Sequence, residues 1–98
     1  MADRAWKRTE RKIAQRLAGE RLPVNGRGRA PDVVSPWLAI EVKHRRRLPA
    51  WLTTAVAQAA SGATEGRLPV VVLHAAGQRH AEDLVLLRLA DFEQWCGR

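Results

Sequence analysis

The stretch Pro31-Asp32-Val33-Val34-Ser35-Pro36-Trp37-Leu38-Ala39-Ile40-Glu41-Val42-Lys43 holds two extended segments broken at a proline. Pro31–Ser35 and Trp37–Lys43 both read as strands, joined around Pro36. The second alternates: Leu38, Ile40 and Val42 face one way, and Ala39, Glu41 and Lys43 the other. If Pro36-Trp37 is a two-residue connection, Ser35 pairs with Leu38. Counting back then sets Asp32 directly opposite Glu41. Opposed side chains on paired strands have Cβ atoms about 4.5–5.5 Å apart. Two carboxylates that close repel, so the arrangement costs stability unless a cation sits between them.

Outward from this pair the chain alternates helices and strands. Upstream, Asp3–Ala18 has helical spacing, with Trp6, Ile13 and Leu17 on one stripe and basic residues over the rest. Gly19 is placed to end this helix as a C-cap. Glu10 breaks the pattern, because it falls inside the apolar stripe between Trp6 and Ile13. Leu22–Val24 reads as a short strand, and Asn25-Gly26-Arg27-Gly28-Arg29 as a glycine-rich loop. Downstream, the basic run His44-Arg45-Arg46-Arg47 leads to Pro49, suited to the first position of a helix over Pro49–Ser61 that stops near Gly62. Leu68–His74, with Val70, Val71 and Val72 in succession, reads as a strand covered on both faces. A turn at Gly77, a strand over Leu84–Leu89 and a short helix capped by Asp91 and running through Trp95 complete the order. Trp6 and Trp51 are expected in the core. The order is helix, three strands, helix, strand, strand, helix: one α/β domain over residues 1–98.

Composition narrows the function classes. The chain has 98 residues, 46% apolar and 28% charged, which excludes wholesale disorder. No apolar run approaches the roughly 20 residues that span a bilayer, and no signal-peptide core follows the N-terminus. The lone Cys96 excludes an internal disulfide and a Cys-based zinc site, and it suits a reducing cytoplasm, the host's if the chain is phage-encoded. Ser35 and Ser61 are the only serines and neither has a nucleophile context, so acyl transfer is excluded. No phosphate-binding P-loop or dinucleotide fingerprint is present, so no nucleotide cofactor is expected. Seventeen Lys+Arg against ten Asp+Glu give a net charge of +7, with arginine supplying most of it. Arginine is the better bidentate partner for phosphate, so the first partner indicated is nucleic acid.

The Asp32–Glu41 pair gives that partner a chemistry. Oxygen ligands without Cys or His beside them favour a hard cation, Mg²⁺ or Mn²⁺. Lys43 shares Glu41's face and brings a fixed positive charge. Such a site suits phosphodiester hydrolysis, with the Lys stabilising charge on the attacked phosphate or orienting the water. Arg45, Arg46 and Arg47, with His44, adjoin Lys43 and are candidate phosphate contacts. Arg27 and Arg29, flanked by glycines, could wrap a nucleic-acid backbone.

Pro31-Asp32 followed by Glu41-Val42-Lys43 resembles the PD-(D/E)XK nuclease motif, and the element order is similar to that superfamily's. The resemblance runs from the first helix to Leu68–His74. It implies a restriction-endonuclease-like core of helix, three strands, helix and strand around a mixed central sheet, here with an extra C-terminal strand and short helix. Within the superfamily the chain looks most like the small Holliday junction resolvases of archaea and phages. Those carry a Glu in the first helix, a Gly/Ser/Arg loop, and a Gln in the helix after the Lys, positions matched by Glu10, Asn25–Arg29 and Gln58. The resemblance implies that Asp32, Glu41 and the Val42 backbone carbonyl hold the metal. Glu10 would be an outer ligand, and Lys43 would support the transition state. The archaeal enzymes usually place a Ser in the glycine loop, where Asn25 stands here.

Blander readings remain beside these. Glu41 and Lys43 would also suit a solvated sheet face with an intrastrand ion pair, although Trp37 and Ala39 on the same face favour a covered site. Glu10 could be a rim carboxylate swung outward or one paired with a neighbouring Arg, and Gln58 could be a helix-surface amide. His74 and His80 read as a strand-end and a loop histidine without a role. Three functions compete: a resolvase; a nicking, flap or packaging-associated nuclease; and a basic module that binds nucleic acid without cutting it. From Leu48 to Thr64 no residue is charged, so the helix there lacks the charged outer side a surface helix normally shows. That absence predicts a homodimer with the helix at the interface.

Overall fold

Antiparallel pairing organises the first half of the chain. The computed structural model describes residues 4–22 and 31–96. In it β1 (Glu20–Arg21), β2 (Val33–Val34) and β3 (Ala39–Ile40) form one sheet in chain order. Val33 pairs with Ile40 and Val34 with Ala39, the register expected from the sequence. At the connection, Ser35 N–H donates to the Leu38 carbonyl at 3.0 Å, and the Ser35 hydroxyl accepts from Leu38 N–H at 3.1 Å. Burial follows the alternation: Leu38, Ile40 and Val42 are half-buried, while Ala39, Glu41 and Lys43 are exposed. On the other side of β2, Glu20 pairs with Val34 and Arg21 with Val33. This strand lies upstream of the expected Leu22–Val24. Residues 23–30, with Asn25, Arg27 and Arg29, lie outside the described residues.

Helix α1 (Ala5–Arg16) packs on β1 and β2 and buries Glu10 and Ala14. Its end differs from expectation. Leu17 is the C-cap, and Ala18, not Gly19, takes the left-handed conformation with φ 53°. Gly19 serves a different need. A Cβ there would sit 2.8 Å from Val33 Cγ1 and 2.8 Å from the Val34 carbonyl oxygen. The chain leaving α1 therefore passes against β2 at a distance that only glycine allows. Val33, on the other side of that contact, is fully buried.

The chain divides into two compact units, Met1–Arg46 and Arg47–Arg98. The second holds α2 (Ala50–Gly62), β4 (Val71–Leu73), a 3₁₀ turn (His80–Glu82), β5 (Leu84–Leu86) and α3 (Leu89–Trp95). Strands β4 and β5 form an antiparallel pair, and α2 packs on β4. Pro49 is the N-cap of α2, not its first residue, because its ψ of 134° is extended. Arg88, not Asp91, occupies the N-cap position of α3 and makes no side-chain capping bond, and Asp91 lies within the first turn, where its charge suits the helix dipole. The strand expected over Leu68–His74 is shorter, since Pro69 has no N–H to give a ladder. It is also not covered on both faces: Val71 and Leu73 are half-buried, but Val70 and Val72 are exposed. A two-stranded sheet with one helix on it has only one covered side. Trp51, expected in the core, is exposed, and so is Trp37.

The fold is mixed α/β, with three α-helices and small antiparallel sheets. The expected single mixed sheet is not what the described residues form: every pairing is antiparallel, in one sheet of three strands and one of two. Among the described residues no helix is long and apolar enough to cross a membrane. Gly19→Ala should destabilise the protein by about 1–3 kcal/mol, because the added methyl meets a buried side chain and a backbone carbonyl that cannot both retreat. Chemical denaturation checks this; an unchanged midpoint would mean that β2 yields freely.

Candidate functional site

Beyond Val33–Ile40 the β2–β3 ladder gives way to a side-chain contact. Ser35–Leu38 is a hydrogen-bonded pair, so by alternation Val33–Ile40 is one too, and Asp32–Glu41 is a non-bonded pair, the kind with closer side chains. The next bonded pair would be Pro31–Val42, but Pro31 has no N–H to offer the Val42 carbonyl. Val42 N–H goes elsewhere and donates to Asp32 Oδ2 at 2.7 Å. The Asp32 carbonyl accepts from Leu22 N–H at 2.9 Å, which continues the β1–β2 register. Asp32 is thus anchored through its backbone on one side. On the other side its carboxylate lies against the Glu41–Val42 peptide.

Glu41 and Lys43 share the exposed face, and Lys43 Nζ lies 3.3 Å from Glu41 Oε2. This is the intrastrand ion pair that the sequence allowed. The expectation of a covered site is corrected, because Trp37 on that face is 59% exposed. Glu10 is in the apolar stripe as expected, and it is buried at 6% exposure. A buried carboxylate needs a partner. Arg21 supplies it, with Nε donating to Glu10 Oε1 at 2.6 Å. The same guanidinium lies 6.0 Å from the Trp6 ring, and Lys7 Nζ lies 5.5 Å from it. Glu10, Asp32 and Glu41 do not converge as a three-ligand cluster.

The remaining candidates are dispersed. Thr9 gives its single O–H to the Ala5 carbonyl at 3.1 Å, so its oxygen accepts from His44 Nδ1 at 2.8 Å. His44 is therefore tied back to α1. Arg45 Nη1 donates to the His44 carbonyl at 3.0 Å, and Arg46 and Arg47 are exposed. Gln58 is exposed on α2, in the second unit.

Sequence reasoning missed one cluster. His74, His80 and Asp83 each place a ligand atom within 4.8 Å of the others, the group of three such side chains found among the described residues that could hold a metal ion. Nδ1 of His74 donates to Asp83 Oδ1 at 2.6 Å, Nδ1 of His80 donates to Oδ2 at 3.0 Å, and Gln78 Nε2 donates to Oδ1 at 3.0 Å. The bond from His80, then that from His74, holds the Asp83 carboxyl below the usual carboxylate range; partial burial opposes them, and Gln78 adds a smaller lowering. The signal is the register of the second hairpin, which its long connection leaves unfixed in the sequence. Leu73 pairs with Leu84, so His74 falls opposite Asp83.

Comparison with protein families, curated proteins and solved structures gives no match to this chain. Arg21→Ala should cost roughly 1–3 kcal/mol, since it leaves the buried Glu10 carboxylate without its donor. Adding Glu10→Ala to that variant should restore part of the loss. Thermal or urea unfolding of the single and double variants reads both effects.

Proposed function

We propose that this chain is a divalent-metal-dependent, structure-specific DNA endonuclease with a restriction-endonuclease-like core, acting on branched DNA as a Holliday junction resolvase does. The observation that carries the reading is the Asp32 carboxylate held on the Val42 N–H, with Glu41 opposite in the register. An ion such as Mg²⁺ or Mn²⁺, held by Asp32, Glu41 and the Val42 carbonyl, would supply Lewis-acid stabilisation of a scissile phosphate. The donor set fits: all its atoms are hard oxygens, and Pro31 leaves the Val42 carbonyl without its ladder donor. Glu10 does not fit that set while Arg21 holds it.

The chain's own groups then divide the work. The Glu41–Lys43 pair is exposed on both sides, so it contributes at most about 1 kcal/mol and parts easily. Glu41 can then turn to a cation, and Lys43 to the charge that develops on the phosphate. Arg45, Arg46 and Arg47 come shortly after Lys43 in the chain and would grip flanking phosphates, helped by Arg27 and Arg29. A second reading, a basic module that binds nucleic acid without cutting it, is favoured by the same ion pair, which an inert sheet face would also show.

Asp32→Asn, Glu41→Gln and Lys43→Ala should each lower Mg²⁺-dependent cleavage of a four-way junction by about 10²–10³-fold or more. Binding measured in Ca²⁺ should change only a few fold. A panel of four-way, flap and linear duplex DNA identifies the substrate. Wild-type turnover by Glu41→Gln would remove the site, and DNA held equally well in EDTA but cut in no metal would establish the binding module.

The active form is proposed to be a homodimer. Helix α2 has no buried residue, its Trp51 is 61% exposed, and Leu48, Leu52, Val56, Leu86 and Leu87 line an open apolar groove beside it. Light scattering after gel filtration at micromolar concentration should give twice the chain mass. A monomer mass with cleavage first order in protein would overturn the dimer.

A further inference from the structure

The β4–β5 hairpin ends on a set of groups that neither the sheet nor the proposed nuclease site requires. Three local rules bring them together. The register that pairs Leu73 with Leu84 sets His74 opposite Asp83. The 3₁₀ turn His80–Glu82 has three residues per turn, so His80 and Asp83, three apart, stack on one side of it. The turn is fixed by backbone bonds from Glu82 N–H to the Arg79 carbonyl at 2.9 Å and from Asp83 N–H to the His80 carbonyl at 3.0 Å. The rings of His74 and His80 consequently lie 4.6 Å apart, 31° from parallel, with both Nδ1 atoms directed at the same carboxylate.

We propose that His74, His80 and Asp83 form a binding site for one first-row transition-metal dication, with Zn²⁺ the best-suited probe. Two imidazoles and a carboxylate are a donor set zinc accepts, with the fourth position left to water. Ligand atoms around a tetrahedral zinc at about 2.0–2.1 Å lie roughly 3.3 Å apart. The three atoms here, all within 4.8 Å of one another, need only a small adjustment to reach that spacing. The His80 side chain can make it, being 87% exposed. In the metal-bound form each neutral imidazole carries its proton on Nε2 instead of Nδ1, and the ion replaces the two N–H···O bonds. Gln78, donating to Asp83 Oδ1, acts as a positioning residue that fixes the carboxylate from outside the ligand set. The ion would clasp residues 74–83 and so stiffen the hairpin. This site uses borderline nitrogen donors, so it is chemically distinct from the hard-oxygen set at Asp32 and Glu41 and does not depend on the nuclease reading.

The test is calorimetric titration of the full chain with ZnCl₂, paired with NMR of the imidazole nitrogens. One equivalent should bind saturably, the Nδ1 resonances of His74 and His80 should shift, and the melting temperature should rise with zinc. His80→Ala, chosen because so exposed a side chain leaves no cavity, should weaken binding at least about tenfold and abolish the thermal shift. Asp83→Asn should weaken it similarly. With Mg²⁺ in excess to occupy the proposed Asp32–Glu41 site, Glu41→Gln should leave the zinc isotherm unchanged, which separates the two sites. Non-saturating uptake, or equal affinity in wild type and His80→Ala, would overturn the proposal and leave the cluster as a hydrogen-bonded hairpin clasp.

Discussion

The first unit depends on how closely residue 19 can approach β2. With Gly19 there, the chain leaving α1 runs against Val33 and the Val34 carbonyl, and β1 can pair in register with β2. That pairing places Arg21 beside the helix it has just left, within reach of Glu10. The buried ion pair is thus a consequence of one backbone contact. Val33 and Ala14 are the buried apolar residues among those described, so this unit has little core to spare. A change that pushes β1 away would lose the ladder and strand a buried carboxylate together, and the two costs would not be independent.

Prolines set the limits of the sheets as surely as valines set their interiors. Pro31 leaves the Val42 carbonyl without a ladder donor, and the Asp32 side chain takes the Val42 N–H. Pro69 delays the start of β4 to Val71. Short ladders leave little backbone on which to assemble one continuous sheet, and the described residues pair in two small ones. Exposure then sorts the acidic residues. Glu10 is held by a buried pair whose rupture leaves a charge in a poor medium, whereas Glu41 is held by a solvated pair that water already weakens. Of the two carboxylates, Glu41 is therefore the one that a bound ion could recruit cheaply.

Much of the fold is legible in the sequence, because it follows from local rules. Alternation over Trp37–Lys43, the break at Pro36 and the apolar stripe of α1 are enough for the β2–β3 register, the element order and the burial of Glu10. Trp37, Trp51 and the valine run mislead for one reason. Apolar character does not prove cover, since cover depends on how many layers the chain builds, which no single segment states. Gly19 stands out as special, but close approach to β2 is a tertiary fact and cannot be told from a helix cap in one dimension. The partner of Glu10 stays open because several arginines compete for it, and only the β1 register selects Arg21. His74 and His80 gain a role only through the register of the second hairpin, which no count from a two-residue turn fixes across its longer connection.

The two registers make the two clusters instructive as a pair. Each lies one step beyond the last ladder residues of an antiparallel pair: Asp32 and Glu41 beyond Val33 and Ile40, His74 and Asp83 beyond Leu73 and Leu84. At such a position the backbone no longer fixes the side chains with full ladder bonds, yet the strands still hold them at close range. Charge then decides between two outcomes. His74 and Asp83 attract, so their pair closes on itself through hydrogen bonds and is content without a cation. Asp32 and Glu41 repel, and the structure relieves them by turning each to a separate donor, the Val42 N–H and Lys43. A cation arriving at the first pair must displace protons from bonds already made. A cation arriving at the second has only to displace an exposed ammonium, while Asp32 can keep its Val42 bond through Oδ2 and offer its other oxygen. On electrostatic grounds the repelling pair is therefore the one whose occupancy would respond most readily to ion concentration.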